Sequence, residues 1–463
     1  MAGFEPVSLE GKRVLVVGAA RTGVAAARFC SARGARVTVS EIRPEPELGE
    51  VAGELIRLRV ALECGGHRWQ TFVDQDLILP SPGVPAELPE LQAARAAGVP
   101  IWSEVELAAR FLRGRWVGVT GSNGKTTTSV LLGHMLSVAR ISTQVGGNIG
   151  VPLISLVETS SERSVTVCEL SSFQLELTEK LRPDIGVLLN LTPDHLDRHP
   201  SFDVYIAAKM KIFSNQRPSD AAIVNADDAA TSRTLGQIPS TLYRFSRAQP
   251  VAAGTFLDSG KIFFRRGNEV TPLLEQAEIP LRGSHNLENV LAAACAARLV
   301  GASPESVREG VRTFAGVEHR LEFVAEVNGV QFFNDSKATN VDSTLKAIEA
   351  FAGGLILILG GKDKGSDYSV LRDALRQRAR HVLLIGQAAE KIARQIEGTV
   401  PASHAETLDR AVQLGFEMAR PGDVLLLAPA CASFDQFENY EHRGRVFKHE
   451  VRKIASRSAG LAG

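Results

Sequence analysis

Lys125 and Thr126 close the segment Thr120-Gly121-Ser122-Asn123-Gly124-Lys125-Thr126, in which small residues and two glycines precede a cation and a hydroxyl. That order suits a polyphosphate. Backbone N–H groups of such a loop meet phosphate oxygens, a lysine adds a point charge, and a threonine hydroxyl ligates magnesium. The spacing departs from the strict G-x-x-x-x-G-K-[ST] pattern, because Val119 stands where the first glycine would be. A glycine-rich turn with a chance lysine would give the same letters, so the reading leans on residues further along. Glu169 closes the run VTVCE, and His195 follows the run DIGVLLNL in the loop TPDHLDRHP. If those runs are parallel strands, both side chains reach the same carboxyl edge as the phosphate loop, the edge at which open α/β sheets bind ligands. Thr126 and Glu169 offer the oxygen ligands that a hard cation bridging phosphates prefers, while neutral His195 would serve a second magnesium less typically.

Such groups need a sheet to hold them, and the chain supplies the pattern three times. Short β-branched or Leu-rich runs end in glycine or polar loops and are followed by Ala-rich helical stretches, the alternation of parallel α/β folds. At 463 residues and about 150 residues per domain, three units are expected. The first, residues 1–113, carries the strands RVLVVG, ARVTVSE and DLILPSPG and the helix VAAARFCSA. The second, 114–315, opens with WVGVTGSNGKTTT and continues through SVTVCEL, DIGVLLNL and DAAIVNA. The third, 316–463, carries LEFVAEV, VQFFND, LILILGG, HVLLIG and DVLLLAPA and ends in the helical VFKHEVRKIAS.

Bulk properties narrow the function classes. Lys+Arg and Asp+Glu number 52 each, which removes a global pull toward nucleic acid or an anionic membrane, so a phosphate ligand must be held locally. Five scattered cysteines without a CxxC pair read as reduced thiols, and cytoplasmic residence is expected. The N-terminal MAGFEPVSLEGKRVLVVG lacks the basic start, apolar run and cleavage site of an export signal. The longest apolar runs, such as Leu355 to Leu359 and Val424 to Ala428, have strand length rather than the ~20 residues of a membrane span.

With these residues in order, the chain resembles the Mur ligase family. The resemblance runs through TGSNGKTTT, GGNIG (146–150), ELSSFQLE from Glu169, NLTPDHLDRH from Asn190, YIAAKMKIF from Tyr205, HNLEN from His285, EHR (318–320), NDSKATN from Asn334 and PACASFDQFENY from Pro429. It implies a Rossmann-like N-terminal domain, a central P-loop-type ATPase domain and a Rossmann-like C-terminal domain. It also implies ATP-dependent amide formation in peptidoglycan precursor synthesis. Asn123 in the phosphate loop, the Rossmann-like first domain, the ACASFDQFENY stretch and the absence of an Asp-Asn-Pro-Arg segment point within the family to the addition of D-glutamate to UDP-N-acetylmuramoyl-L-alanine. Those two small molecules are the implied partners, for an enzyme expected to be monomeric.

Carried over residue by residue, the resemblance implies that ATP is held by Gly121, Ser122, Asn123, Gly124, Lys125, Thr126 and Thr127, with Asn286, Asn289, Arg320 and Asp335 framing the nucleotide. Lys125 would hold the β/γ-phosphates, Thr126 and Glu169 a first Mg2+, and His195 a second. Lys209 would be carbamylated by CO2, which turns a cation into an anionic oxygen ligand. Lys125, His195 and Lys209 are thus the implied catalytic residues. Asn148 and His195 would meet the muramoyl-alanine part of the substrate. For D-glutamate the implied set is Lys337, Thr339, Lys364, Ser433 and Tyr440, with Lys362 the alternative to Lys364 in the loop GGKDKGSDY.

In the first unit, Gly18-Ala19-Ala20-Arg21-Thr22-Gly23 resembles a dinucleotide turn, with Glu41 where an NAD enzyme places its ribose-binding acid. Ala20 replaces the middle glycine that admits a pyrophosphate, which speaks against NAD. The family resemblance instead gives this domain the UDP moiety, with Arg21, Thr22, Glu41, Arg43, Ser81 and Gly83 as its contacts. Competing readings are another amide ligase of the superfamily, including one resembling folylpolyglutamate synthase, and a nucleotide-binding regulatory protein without chemistry.

Overall fold

The structure is a computed structural model that describes residues 7–195 and 198–460, with side chains to residue 457. Residues 1–6 of the N-terminal stretch read above for export signals lie outside the described residues, as do Leu196 and Asp197 of the DHLDRH motif. Among the described residues, no helix is long and apolar enough to cross a membrane.

Three sheets account for the strands. The first contains β1 (Arg13–Val17), β2 (Arg36–Glu41), β3 (Ala61–Cys64) and β4 (Leu77–Pro80) in the order β3-β2-β1-β4, all parallel. The central strand β1 and its neighbour β4 read as almost unbroken apolar runs because both faces are covered. Val14 and Val16 pack in one cluster with Ala26, Ala27 and Cys30, while Leu15 and Val17 pack in another with Leu91 and Ala94.

The second sheet contains β5 (Arg115–Thr120), β6 (Thr143–Gly147), β7 (Val165–Glu169), β8 (Ile185–Leu188), β9 (Ala221–Asn225), β10 (Thr241–Ser246), β11 (Gly254–Asp258), β12 (Lys261–Arg266) and β13 (Glu269–Glu275). Their order is β13-β12-β11-β10-β9-β8-β5-β7-β6. From β6 to β11 every neighbour is parallel, whereas β12 and β13 fold back antiparallel. Because β5 is flanked by β7 on one side and β8 on the other, the chain leaves it in opposite directions, and a crevice opens beyond its carboxyl end.

The third sheet contains β14 (Glu322–Val327), β15 (Val330–Asn334), β16 (Leu355–Gly360), β17 (Ala379–Ile385), β18 (Ala402–Glu406) and β19 (Val424–Leu427) in the order β14-β15-β19-β16-β17-β18. Only the edge strand β14 is antiparallel. Leu355, Leu357 and Leu359 face one core and Ile356 and Ile358 the other, so this sheet too is covered on both sides.

The strands read from sequence are all present, but the alternation rule anticipated neither the hairpin extension β11–β13 nor the antiparallel β14. The helix at YIAAKMKIF runs from Phe202 to Met210 and stops before Lys211. The chain divides into two compact units. Residues 1–278 with 288–313 form one, which holds the first two sheets, and residues 279–287 with 314–463 form the other.

Within the first unit, the segment after the first sheet is tied down by one carboxylate. Glu106, in the helix Glu104–Ala109, is fully buried and accepts from the N–H groups of Glu179, Lys180 and Leu181 at 2.9–3.2 Å and from Arg110 Nη2 at 2.6 Å. Ser103 N–H donates to Leu177 O nearby. Replacing Glu106 by alanine strips the acceptor from three amides and a guanidinium that is itself 5% exposed, and should destabilise the first unit by ~3 kcal/mol. Urea unfolding of the variant checks this, and a loss below ~0.5 kcal/mol would show that water replaces the carboxylate.

Candidate active site

The phosphate loop leaves β5 at Thr120, and its two glycines do different work. Gly121 has φ +152° and a Cβ there would lie 2.9 Å from Leu189 Cβ; Gly124 has φ +85° and its Cβ would lie 2.2 Å from Asn289 Oδ1. Gly124 is the N-cap of the helix Lys125–Val138, and no side chain caps that terminus. The loop is held by its neighbour after β8: Asn123 N–H donates to Asn190 Oδ1 at 2.8 Å, and Asn190 Nδ2 returns a bond to Asn123 O at 3.1 Å. Ser122 Oγ donates to Thr192 O and accepts from Thr192 N–H, both at 2.9 Å, and also accepts from Tyr205 Oη at 3.0 Å.

Two lysines share the loop. Lys125 Nζ donates to Gly121 O at 2.9 Å and Ser122 O at 2.8 Å, while Lys209 Nζ donates to Gly121 O at 2.8 Å. Lys209 is 1% exposed and its amine lies 4.5 Å from the centre of the Tyr205 ring. Burial drives its pKa well below the usual lysine value; Lys125 pushes the same way, against the pull of Asp194 and Glu169. Burial and a neighbouring cation thus both disfavour the charged form of the Lys209 amine.

Glu169 is the last residue of β7, 2% exposed, and does not cap the short helix Ser172–Glu176. Ser171 and Gln174 cap that helix with a reciprocal pair of hydrogen bonds. The Glu169 backbone O accepts from Asn148 N–H at 2.9 Å and Oε1 from Asn148 Nδ2 at 2.8 Å, while Oε2 is buried with no hydrogen-bond partner. An orphaned carboxylate oxygen beside a phosphate loop fits a metal ligand. His195 adopts the left-handed region at φ +54°, with its ring 4.9 Å from Phe173 and its Nε2 3.7 Å from Asp194 Oδ2. Its carbonyl accepts from the N–H groups of Arg198 and His199.

In the first sheet, Ser81 Oγ donates to Gly18 O at 3.2 Å, and Gly23 fits so closely that a Cβ would lie 1.9 Å from Gly18 O. Arg21 and Thr22 open the helix Arg21–Ser31, whose N-cap Ala20 contributes no side-chain bond, and Gly83 is exposed. Glu41 faces inward and is 5% exposed. It accepts from Ala19 N–H at 2.7 Å, and from the Arg43 backbone N–H and guanidinium at 3.0–3.1 Å. Burial opposes its charge, yet the Arg43 and backbone hydrogen bonds win and bring the carboxyl down to about 2.

In the second unit, Asp335 follows β15 and is 8% exposed; burial raises its pKa to about 7 against the pull of Arg320. Lys337 Nζ lies 3.7 Å from the centre of the Tyr440 ring, and Lys337 N–H donates to His319 O at 3.1 Å. Thr339 follows on the same loop, and Ser433, 2% exposed, lies beyond β19. Lys362 and Lys364 are both exposed, Lys362 being tied through its backbone to Ala432. Asn286 belongs to this unit and donates to Arg282 O at 2.7 Å; Asn289 belongs to the first, where Thr128 Oγ1 donates to it at 3.3 Å.

Sequence reasoning passed over Tyr205, whose ring faces Lys209 and whose hydroxyl reaches Ser122. The available signal was the four-residue spacing of Tyr205 and Lys209 on one helical face.

A phosphate loop at a switch point, a buried acid at the adjacent strand end and further α/β sheets on either side in sequence describe a nucleotide-using enzyme. Residues 12–103 match the Mur ligase MurD-like N-terminal domain, 119–297 the Mur ligase middle domain, and 319–431 the Mur ligase glutamate ligase domain. The chain belongs to the Mur ligase family. It is 56% identical to a protein of Acidobacterium capsulatum, over 98% of both chains, and 50% identical to one of Koribacter versatilis, over 97% of this chain and 99% of that one. Both relatives are named UDP-N-acetylmuramoylalanine–D-glutamate ligase. Two solved structures superpose with a TM-score of 0.60 over 96% of this chain and all of theirs: a pseudomurein peptide ligase type C from Methanothermus fervidus and the UDP-N-acetylmuramate-alanine ligase MurC from Thermotoga maritima. At 18% and 20% identity those likenesses concern the fold.

The left-handed Gly124 supports a direct check. Gly124→Ala should lower affinity for a nucleoside triphosphate by about tenfold or more, because the added methyl meets Asn289 in a conformation that L residues resist. Calorimetric titration measures it, and unchanged affinity would mean that the loop binds in another shape.

Proposed function

We propose that the chain is an ATP-dependent ligase that joins D-glutamate to UDP-N-acetylmuramoyl-L-alanine in peptidoglycan precursor synthesis. The observation that carries this is 56% identity over 98% of the chain to a relative named for that reaction; Lys125, Glu169, His195 and Lys209 are all present in this chain. A free carboxylate is a poor electrophile, so its oxygen first takes the γ-phosphoryl group of ATP, the bond to the β-phosphate breaks and ADP departs. The amine of D-glutamate then attacks the carbonyl carbon of the acyl phosphate, and inorganic phosphate leaves as the amide forms. Positioning and charge neutralisation supply most of the acceleration in phosphoryl transfer.

In this reading Gly121, Ser122, Asn123, Gly124, Lys125, Thr126 and Thr127 hold the polyphosphate, and Asn286, Asn289, Arg320 and Asp335 hold the rest of the nucleotide. Thr126, Glu169, His195 and a carbamylated Lys209 are assigned to two magnesium ions, which when bound supply charge neutralisation at the phosphates. The orphaned Oε2 of Glu169 supports the first ion. For Lys209, burial favours the neutral amine, which is the form that attacks CO2. Arg21, Thr22, Glu41, Arg43, Ser81 and Gly83 are assigned to UDP, with Glu41 also accepting from Arg43 and the Ala19 amide, and Asn148 and His195 to the muramoyl-alanine arm. Lys337, Thr339, Lys364, Ser433 and Tyr440 are assigned to D-glutamate, whose two carboxylates suit cations and hydroxyls.

The deciding experiment incubates the protein with ATP, magnesium, UDP-N-acetylmuramoyl-L-alanine and, in separate tubes, D-glutamate, L-glutamate, L-alanine, L-lysine or meso-diaminopimelate, measuring phosphate release and product mass. Product only with D-glutamate is expected; product with another amine alone would move the chain to a different ligase. A second experiment addresses Lys209. Lys209→Ala should lose turnover while retaining ATP binding and should recover in part with a small added carboxylate, whereas full activity would exclude the carbamate role.

A further inference from the structure

The cation most deeply buried in the second unit has no part in the assignments above. Arg443, in the helix Tyr440–Gly460, is 0% exposed. Its Nε donates to Ser336 Oγ at 3.0 Å and its Nη2 to Ser336 O at 2.8 Å and Cys431 O at 3.2 Å. Nη1 donates to Cys431 O at 3.2 Å and Ala432 O at 3.4 Å. Every hydrogen-bond acceptor is a carbonyl or hydroxyl, and no carboxylate bonds the guanidinium directly. Burial lowers its pKa to about 10 against the pull of Cys431 and Asp435, which still leaves it charged at neutral pH.

The acceptors lie on two different loops. Ser336 sits beyond β15, immediately before Lys337 and three residues before Thr339; Cys431 and Ala432 sit beyond β19, immediately before Ser433. A third loop closes on the same group. Gly361, beyond β16 with φ +135°, is packed so that a Cβ would lie 3.2 Å from Arg443 Nη1 and 2.3 Å from Ala432 O. Lys362 N–H then donates to Ala432 O at 2.9 Å, two residues before Lys364. Ser336 Oγ in turn donates to Tyr440 O at 2.9 Å, which brings the fourth element into the cluster. These three strands meet at the switch point of the third sheet, where β19 lies between β15 and β16.

We infer that Arg443 is a positioning residue for the amino-acid substrate: its guanidinium fixes the relative placement of the loops that carry Lys337, Thr339, Lys364 and Ser433. The inference rests on the assignment of those residues to D-glutamate. A guanidinium suits the task because its donors lie in one rigid plane and reach several carbonyls at once; an ammonium on a flexible stem has three donors and no fixed fan. Displacing binding groups by about 1 Å is costly for a small, doubly charged ligand, since all its contacts must be met together.

The test uses the full chain with saturating ATP and magnesium. In Arg443→Lys the KM for D-glutamate should rise about tenfold or more, while the KM for UDP-N-acetylmuramoyl-L-alanine, assigned to residues of the other unit, stays within about twofold. A residue that only supported folding would reduce the amount of active enzyme and leave both KM values alone. Should Arg443→Lys fail to fold, Ser336→Ala decides, because it removes one acceptor of the guanidinium and the bond to Tyr440 while keeping the backbone; a rise of about threefold or more in the D-glutamate KM is expected. An unchanged D-glutamate KM in the folded variants overturns the inference. A wild-type protein that forms no product with D-glutamate overturns the functional reading instead, and is recognised before any variant is measured.

Discussion

One backbone oxygen, that of Gly121, accepts hydrogen bonds from two lysine amines. Lys125 arrives from the helix that follows the loop and Lys209 from a helix far along the chain, and they meet at a carbonyl with little water to separate them. Two ammonium groups so placed repel each other, and the repulsion is weakly screened in a buried setting. Burial and the neighbouring Lys125 both lower the pKa of Lys209, so the repulsion falls on the more deeply buried amine. Tyr205 and Ser122 then hold the arrangement: the ring covers the Lys209 amine, and the hydroxyl reaches the serine that is also bound to Thr192. The chemical state of the site thus follows from where two helices begin and end.

That crowding is possible only because β5 is flanked by β7 and β8. The strand end that launches the phosphate loop lies between the strand end that carries Glu169 and the loop that carries His195. The first and third sheets repeat the device. Ser81 and Gly18 meet across the ends of β4 and β1, and the loops beyond β15, β16 and β19 meet around a single guanidinium. In each case the central parallel strands are mostly apolar along their length, and the polar residues collect at their carboxyl ends, Glu41 and Glu169 among them, because there the backbone leaves the sheet.

Much of this was legible in the sequence because it is local. Strand, loop and helix follow one another between Arg115 and Val138, and each strand that places a candidate residue is a short apolar run with a clear end. What escaped was non-local or had no distinctive letter. The hairpin strands β12 and β13 carry mixed polar and apolar residues, and nothing in them declares that the parallel pattern has ended. Residues 279–287 precede helical positions of the first unit in sequence and yet pack with the second, a matter of tertiary contacts alone. Arg443 reads as one basic residue in a charged terminal helix, since its four acceptors are neutral atoms about a hundred positions away or on a separate loop. The sequence placed Glu41 at the end of β2 but did not show that Arg43 and the Ala19 amide would donate to it.

The Glu106 clamp has a bearing on which acceptor the enzyme accepts. By gathering three successive amides and Arg110 onto one buried carboxylate, it joins the segment that leaves the first sheet to the loop after β7. That one carboxylate resists any sliding of the two segments past each other. In the proposed reaction such a tie would act as a gauge, admitting a nucleotide-linked acceptor whose arm matches the distance from the first sheet to the phosphate loop.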